Sequence, residues 1–185
     1  MTTYKDELSI HYKTVFQGTS TDRHWLKGPF HELGSEFSIL EFSPDASRDM
    51  CVYATAGLGP LSRDGTRIEL HIYSQKFDPA LVELLTITAH YHATGEALDL
   101  GDSVNFGKPW QDKSLCTFGY ISLPHLYGPD LEDFTFGNKL SKCYWLVPIT
   151  AEEVSYKREF GIDALEEKFE ESNFNYLNPY RRSVL

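Results

Sequence analysis

The stretch MCVYATAGLGPLSRDGTRIELHIYS, residues 50–74, contains the clearest strand and turn signals of the chain. It begins with a β-favouring run at residues 51–53 and ends with residues 68–73, where apolar and mixed side chains alternate. Between these runs, two glycines and a proline at residues 57–60 and an Asp-Gly turn signal at residues 64–65 prevent a regular element. The pattern predicts two strands joined by a glycine-rich loop, with the second strand buried on one face.

Helical and strand-like patterns continue on both sides of this hairpin. Apolar spacing predicts an amphipathic helix over residues 4–16, followed by a polar loop over residues 19–27 and a strand over residues 36–42. A longer helix is predicted to begin after Asp78, which can cap it, and to end at Gly95.

The second half of the chain carries further strand and cap signals. Strands are predicted at residues 104–106, 115–123 and 143–147, and the last is a continuous apolar run typical of a strand covered on both faces. Residues 125–142 are predicted to be mainly loop.

The sequence TAEE at residues 150–153 is a capping box, because Thr150 and Glu153 can each accept a hydrogen bond from the other's backbone N–H. We expect the short helix that it starts to end at Gly161, and Asp163 to cap a further helix.

Composition limits the classes of function. A chain of 185 residues with 41% hydrophobic and 14% aromatic residues can form one domain with a large core. The formal net charge of −10 argues against a nucleic-acid partner, because phosphate binding needs clustered Lys and Arg. The same charge favours a basic protein partner, since complementary potentials speed association.

The three cysteines have no spacing typical of a zinc site, so buried free thiols in a cytoplasmic protein are expected. No segment has the length or apolarity of a signal sequence or a membrane span. The sequence therefore predicts a soluble protein without a metal or another cofactor.

No motif predicts catalysis. His90 and His92 lie on different sides of the predicted helix, so a shared metal is not expected and both should face solvent. His71 is expected at the surface or half-buried, and Asp99 and Asp102 are explained by a turn. An enzyme would have to bring at least two of a small set of side chains into one pocket. These are His71, His90, His125, Asp99 and Asp102.

Three groups of motifs, taken together, resemble the suppressor of fused domain family in order and spacing. The first is YATAGL at residues 53–58 with the strand at residues 68–73, and the second is the Gly-Asp pair at residues 101–102. The third is LVPITAEE at residues 146–153, followed by GIDAL. The chain resembles this family from about residue 37 to residue 171, within a single expected domain of residues 1–185.

The resemblance implies an α+β fold in which a central mixed, largely antiparallel, twisted sheet packs against helices. It also implies no enzymatic activity. The animal member of the family has two lobes that hold a transcription-factor peptide between them by extending a sheet edge, and this chain resembles its N-terminal lobe alone. Bacterial single-lobe relatives are associated with immunity against co-encoded toxins.

Two binding functions follow from the resemblance. The first is an immunity protein or antitoxin that binds and neutralises a basic toxin domain, and the alternative is a scaffold that sequesters a peptide by strand addition. Loop placement and side-chain chemistry predict a set of partner-binding residues in the hairpin and in the acidic segment that follows residue 129. These are Tyr53, Leu58, Arg63, Asp64, Asp130, Glu132 and Asp133.

Overall fold

The computed structural model describes residues 2–28 and 30–185. In these residues one eight-stranded sheet lies between layers of helices. The strands are β1 (Ser20–Arg23), β2 (Ser38–Phe42), β3 (Cys51–Ala56), β4 (Ile68–Ser74), β5 (Ser103–Asn105), β6 (Cys116–Ser122), β7 (Asp133–Phe136) and β8 (Lys139–Thr150). The helices are α1 (Tyr4–Phe16), α2 (Phe30–Leu33), α3 (Ala80–Thr94), α4 (Pro129–Glu132), α5 (Ala151–Phe160) and α6 (Ile162–Ser172).

The strand order is β1-β2-β3-β4-β8-β6-β5, and β7 pairs with the first part of β8. Within the described sheet, β4 and β8 are the one parallel pair and every other pair is antiparallel. The predicted α+β class with a mixed, largely antiparallel sheet is therefore confirmed.

The central hairpin forms as predicted, with Cys51 opposite Ser74 and Ala54 opposite His71. The expectation that β4 is buried on one face was wrong, because all seven of its residues are buried. Leu81 and Leu85 of α3 pack in the core on one face, while Leu8 of α1 packs in the core on the other. The mixed face of β4 therefore contacts a second core and not solvent.

The polar segment at residues 19–27 contains an edge strand that the sequence pattern did not predict. β1 pairs with β2 along its whole length, from Ser20 opposite Phe42 to Arg23 opposite Ile39. Its composition does not favour a strand, so pairing with a buried neighbour decides its conformation.

The segment at residues 125–142 also contains more regular structure than predicted. It holds α4 and the hairpin of β7 and β8, whose two-residue turn places Gly137 at φ 62°. The signal was present in DFTFGNKL, where a Gly-Asn turn follows an alternating run.

The helix ends agree with most of the predicted caps. Pro79, one residue after the predicted Asp78, is the N-cap of α3, and the Asp78 side chain accepts a hydrogen bond from the Ala80 N–H at 2.9 Å. The capping box of α5 is present, with the Glu153 N–H 3.2 Å from Thr150 Oγ1 and the Thr150 N–H 2.8 Å from Glu153 Oε2. Asp163 does not cap α6, because Gly161 occupies that position and Asp163 lies in the first turn.

The three cysteines are buried free thiols, as predicted. None of the helices in the described part of the chain is both long enough and apolar enough to cross a membrane.

Candidate functional site

A buried carboxylate, Glu69, holds the base of the β3–β4 loop. The Thr55 hydroxyl donates to Glu69 Oε2 at 2.5 Å. The backbone N–H groups of Gly57 and Gly59 donate to Glu69 Oε1 at 3.2 and 2.9 Å. The first residues of the loop are thereby fixed to β4.

The same carboxylate connects the loop to the N-terminal helix. The Tyr4 hydroxyl donates to Glu69 Oε1 at 3.0 Å and lies 3.0 Å from the Ser141 hydroxyl on β8. Burial raises the pKa of Glu69 to about 7, although hydrogen bonds from Gly59 and Thr55 favour the charged form. Sequence reasoning missed this role because Glu69 resembles an ordinary polar residue on the exposed face of a strand.

The outer part of the loop is organised by Asp64. Its carboxylate accepts hydrogen bonds from the Thr66 N–H at 2.9 Å and from the Ser62 hydroxyl at 3.1 Å. The bond from the Thr66 backbone is the main cause that lowers the pKa of Asp64. Arg63 and Asp64 are both exposed, so their side chains are accessible to a partner.

Two of the predicted contact residues in the hairpin are inaccessible in this structure. Tyr53 and Leu58 are fully buried, and the Tyr53 hydroxyl accepts a hydrogen bond from the Asp78 N–H at 2.8 Å. Tyr53 thus links β3 to the start of α3, while Leu58 fills the core beneath the loop. A role for either residue in binding would have to be indirect.

The predicted acidic segment lies at the same end of the sheet as the hairpin loop. The Lys142 N–H donates to the Arg67 carbonyl at 2.9 Å, and Lys142 lies opposite both Ile68 and Asp133 in the sheet. Because neighbouring strands are about 4.8 Å apart, the end of the loop and the acidic segment lie on either side of β8, about two strand spacings from each other. We call the surface formed by residues 62–67 and 130–133 the loop–acidic surface.

Part of the acidic charge is compensated within the chain. The Lys142 ammonium lies 2.8 Å from Glu132 and 2.6 Å from Asp133, and these hydrogen bonds raise the pKa of Lys142. Asp130 and Asp133 are exposed, whereas Glu132 is half-buried. Asp130 is therefore the predicted acidic contact with the best access to a partner. The assignment of all seven partner-binding residues stays a prediction.

The histidines are more buried than the sequence pattern indicates. His71 is fully buried, and neither ring nitrogen has a hydrogen-bond partner among the described residues. Burial lowers its pKa to about 3. His92 is also buried, and its Nδ1 accepts a hydrogen bond from the Leu98 N–H at 2.9 Å. The expected surface positions of His71 and His92 were wrong, because both sheet faces are covered and residues 96–98 fold back over α3.

The other candidates for catalysis have structural contacts. His90 Nε2 forms a close hydrogen bond with the Glu32 carboxylate, and this bond lowers the pKa of Glu32. Asp102 accepts from the Asp99 N–H at 2.8 Å, as expected for turn residues. Among the described residues, no three His, Cys, Asp or Glu side chains are grouped closely enough to hold a metal ion.

An edge strand offers a second possible binding surface. The Phe106 N–H donates to the Thr117 carbonyl at 2.9 Å, and Val104 lies opposite Gly119. In an antiparallel pair, hydrogen-bonded and non-hydrogen-bonded positions alternate, so Val104 bonds to β6 and its two neighbours do not. The residues whose backbone N–H and C=O groups point away from β6 are Ser103 and Asn105.

This edge of β5 opens into a groove of about 420 Å³ beside α3. Ile87 and Tyr91 line the groove from α3 and are 42% and 40% exposed. Ser103 also lines it, and its buried hydroxyl has no hydrogen-bond partner in the described part of the chain. The groove combines open backbone groups with apolar side chains, which is the combination that an added peptide strand requires.

Comparisons with known proteins agree with this architecture. The sequence profile of the family described as Suppressor of fused protein (SUFU) matches residues 34–182. The crystal structure of a SUFU homolog from Neisseria gonorrhoeae is 27% identical over 98% of this chain and 97% of its own, with a TM-score of 0.86. No curated protein sequence matched the chain.

Two more distant structures share the fold. A chain in the crystal structure of the Sufu–Fu complex is 15% identical over 96% of this chain and 90% of its own, with a TM-score of 0.70. The crystal structure of Drosophila Suppressor of Fused is also 15% identical over 96% of this chain, with a TM-score of 0.70. This chain covers 50% of the Drosophila protein.

Proposed function

The chain belongs to the suppressor of fused family, and we propose that it is a protein-binding domain that acts through a preformed surface and catalyses no reaction. The observation that carries this proposal is the attachment of the base of the β3–β4 loop to Glu69, while the end of the loop is hydrogen-bonded to β8 at Lys142, opposite the acidic segment. A loop held in one conformation loses little entropy when a partner binds. The Sufu–Fu complex, in which a relative of the same fold binds another protein, supports the proposal.

We propose further that the loop–acidic surface binds a basic protein, and that this protein is a co-encoded toxin domain. The net charge of −10 and the exposure of Asp64 and Asp130 support a basic partner. The resemblance to bacterial single-lobe immunity proteins motivates the choice of a toxin. In this proposal Arg63, Asp64 and Asp130 contact the partner, Glu132 and Asp133 contribute charge, and Tyr53 and Leu58 hold the surface in shape.

Co-expression with the product of the adjacent gene tests this proposal. We expect co-purification, protection from toxicity, and a dissociation constant that rises at least tenfold in Asp130→Lys and in high salt. Glu167→Lys is the matched control, because it makes the same change of charge at an exposed position on α6. Unchanged toxicity without co-purification would contradict the toxin hypothesis, and equal effects of both variants would contradict the assigned surface.

Strand addition at β5 is a second candidate, favoured by the outward backbone groups beside the groove of α3. If a partner adds a strand there, the Ser103 and Asn105 amides should exchange with deuterium more slowly in its presence. The Val104 amide serves as the control, because the strand register makes it bond to Gly119 in the free protein. Protection confined to residues 62–67 would favour the loop–acidic surface and contradict strand addition.

A further inference from the structure

A second cavity, of about 270 Å³, lies between the sheet and the C-terminal segment. Trp145 of β8 and Phe169 of α6 line it together with Phe174 and Tyr176, which follow α6. The ring centroids of Trp145 and Tyr176 are 5.2 Å apart, and those of Phe169 and Phe174 are 4.4 Å apart. These four rings form a packed aromatic wall, which we call the aromatic cavity.

Two carboxylates also line the aromatic cavity. Glu166 Oε1 accepts hydrogen bonds from the Tyr120 hydroxyl at 2.8 Å and from the Ser122 hydroxyl at 3.0 Å, so its position is fixed by β6. Glu170 lies one helical turn later on the same face of α6 and is exposed. Negative charge is thus held next to the aromatic rings, in a chain that already has a net charge of −10.

This combination selects for a cation. Aromatic faces attract ammonium and guanidinium groups through the ring quadrupole, and carboxylates add charge-assisted hydrogen bonds. The chain's own Arg181 shows the same preference, because its guanidinium carbon lies 5.4 Å from the Phe174 centroid and 6.0 Å from the Phe169 centroid. An anion would be repelled by Glu166 and Glu170, and a neutral apolar ligand would leave both carboxylates partly desolvated without a counter-charge.

The size of the cavity points to a single side chain as its occupant. Sites for drug-sized ligands and cofactors are typically about 300–1,000 Å³, and this cavity is smaller. We propose that the aromatic cavity binds the cationic end of a basic side chain that a protein partner inserts. Only the source of the cation, a protein partner, rests on the proposed function.

A titration with N-acetyl-arginine amide tests cation binding in the aromatic cavity without a protein partner. A negative result would therefore contradict the cavity proposal and leave the proposed protein-binding function untouched. The neutral isostere N-acetyl-citrulline amide is the matched probe. We expect the arginine derivative to shift the Trp145 indole N–H resonance in NMR spectra in a saturable way, and to bind at least tenfold more tightly than the citrulline derivative. The indole resonance is assigned from its loss in Trp145→Phe.

Variants on α6 locate the site. Glu166→Gln keeps an oxygen that can accept from Tyr120 and Ser122, and Glu170→Gln alters an exposed side chain, so neither should disturb the fold. We expect the double variant to bind the arginine derivative at least tenfold more weakly. Glu167→Gln, which lies on the same helix but does not line the cavity, should bind like the wild type.

His125 needs its own control, because its Nε2 lies 3.7 Å from Glu166 Oε1 and a protonated imidazole would compete for that carboxylate. The titration is therefore repeated with His125→Asn, in which binding should be equal to or tighter than in the wild type. The proposal is overturned if the arginine derivative does not saturate the signal, if the citrulline derivative binds equally well, or if Glu167→Gln weakens binding as much as the double variant.

Discussion

Glu69 and His71 lie two residues apart on β4, project from the same face of the sheet, and are both fully buried. Burial disfavours the charged form of each, which moves the two pKa values in opposite directions. The pKa of Glu69 rises from 4.5 to about 7, and the pKa of His71 falls from 6.5 to about 3. The same face therefore holds two groups whose contributions to the pH dependence of stability oppose each other.

The sign follows from proton counts in the folded and unfolded states. Between pH 4.5 and about 7 the folded state keeps a proton on Glu69 that the unfolded state has lost, so stability falls as the pH rises. Between about pH 3 and 6.5, His71 is protonated in the unfolded state but neutral in the folded state. The free energy of unfolding therefore rises with pH in this range. The two slopes therefore have opposite signs and oppose each other between pH 4.5 and 6.5.

We therefore predict opposite pH profiles for two variants. Relative to the wild type, the free energy of unfolding of Glu69→Gln should increase with pH between 4.5 and 6.5, because the contribution of His71 is left uncompensated. That of His71→Phe should decrease with pH over the same range. Urea denaturation at a series of pH values measures both profiles. If both variants keep the pH profile of the wild type, Glu69 and His71 do not make opposing contributions to stability.

The buried ion pair of Arg181 and Glu153 leads to a second prediction. Arg181 Nη1 lies 2.7 Å from Glu153 Oε1 and Nη2 lies 2.9 Å from Oε2, and both side chains are buried. Arg181→Met should lower the free energy of unfolding by about 3–5 kcal/mol, because it leaves the Glu153 carboxylate buried without its counter-charge.

The double variant Arg181→Met, Glu153→Gln controls for the loss of packing. It removes both charges and keeps an acceptor for the Thr150 N–H, so it should be more stable than Arg181→Met alone. Guanidinium denaturation of the wild type, both single variants and the double variant gives the coupling energy. A coupling energy near zero would show that the pair contributes no more than a surface ion pair.

The sequence pattern predicted correctly those helices and strands that depend on interactions between residues close together in the chain. The alternation at residues 68–73, the apolar run at residues 143–147 and the TAEE capping box all specify structure through neighbours in the chain. The order of motifs carried the family resemblance, and with it the α+β sheet.

The parts that the sequence did not predict depend on contacts between distant segments. β1 exists because β2 lies beside it, and Glu69 is buried because Tyr4 and Gly59 approach it from remote positions. His71 was expected near the surface because the mixed face of its strand resembles an exposed one. Nothing in the sequence near His71 indicates that α1 covers that face.

The two capping boxes give a third prediction. Thr150 caps α5 and Thr3 caps α1, where the Asp6 N–H lies 3.2 Å from Thr3 Oγ1. Replacing either threonine by alanine should lower the free energy of unfolding by about 1 kcal/mol, because one backbone donor loses its acceptor. Thermal denaturation measures both losses. Serine variants at the same positions keep the hydroxyl and should recover most of the stability, and a serine variant as unstable as the alanine variant would contradict capping as the cause.

Two glycines of the β3–β4 loop give a fourth prediction, because they have similar backbone angles but different surroundings. Gly57 has φ +106° and Gly65 has φ +88°, so a side chain is strained at both positions. A Cβ at Gly57 would lie 2.9 Å from the backbone oxygen of Glu36, whereas a Cβ at Gly65 would have no neighbour within 4 Å. Gly57→Ala should therefore destabilise the fold more than Gly65→Ala, which should cost about 1 kcal/mol.

The comparison also tests whether Glu69 sets the shape of the loop. The Gly57 N–H donates to Glu69, so a backbone shift at this position that relieves the clash with Glu36 also moves the donor of that bond. In Gly57→Ala we expect faster exchange of the backbone amides at positions 57 and 59 with deuterium and weaker binding at the loop–acidic surface. Gly65→Ala leaves the contacts of Glu69 in place, so both amides should stay protected. Equal protection in the two variants would show that the loop keeps its shape without the anchor at its base.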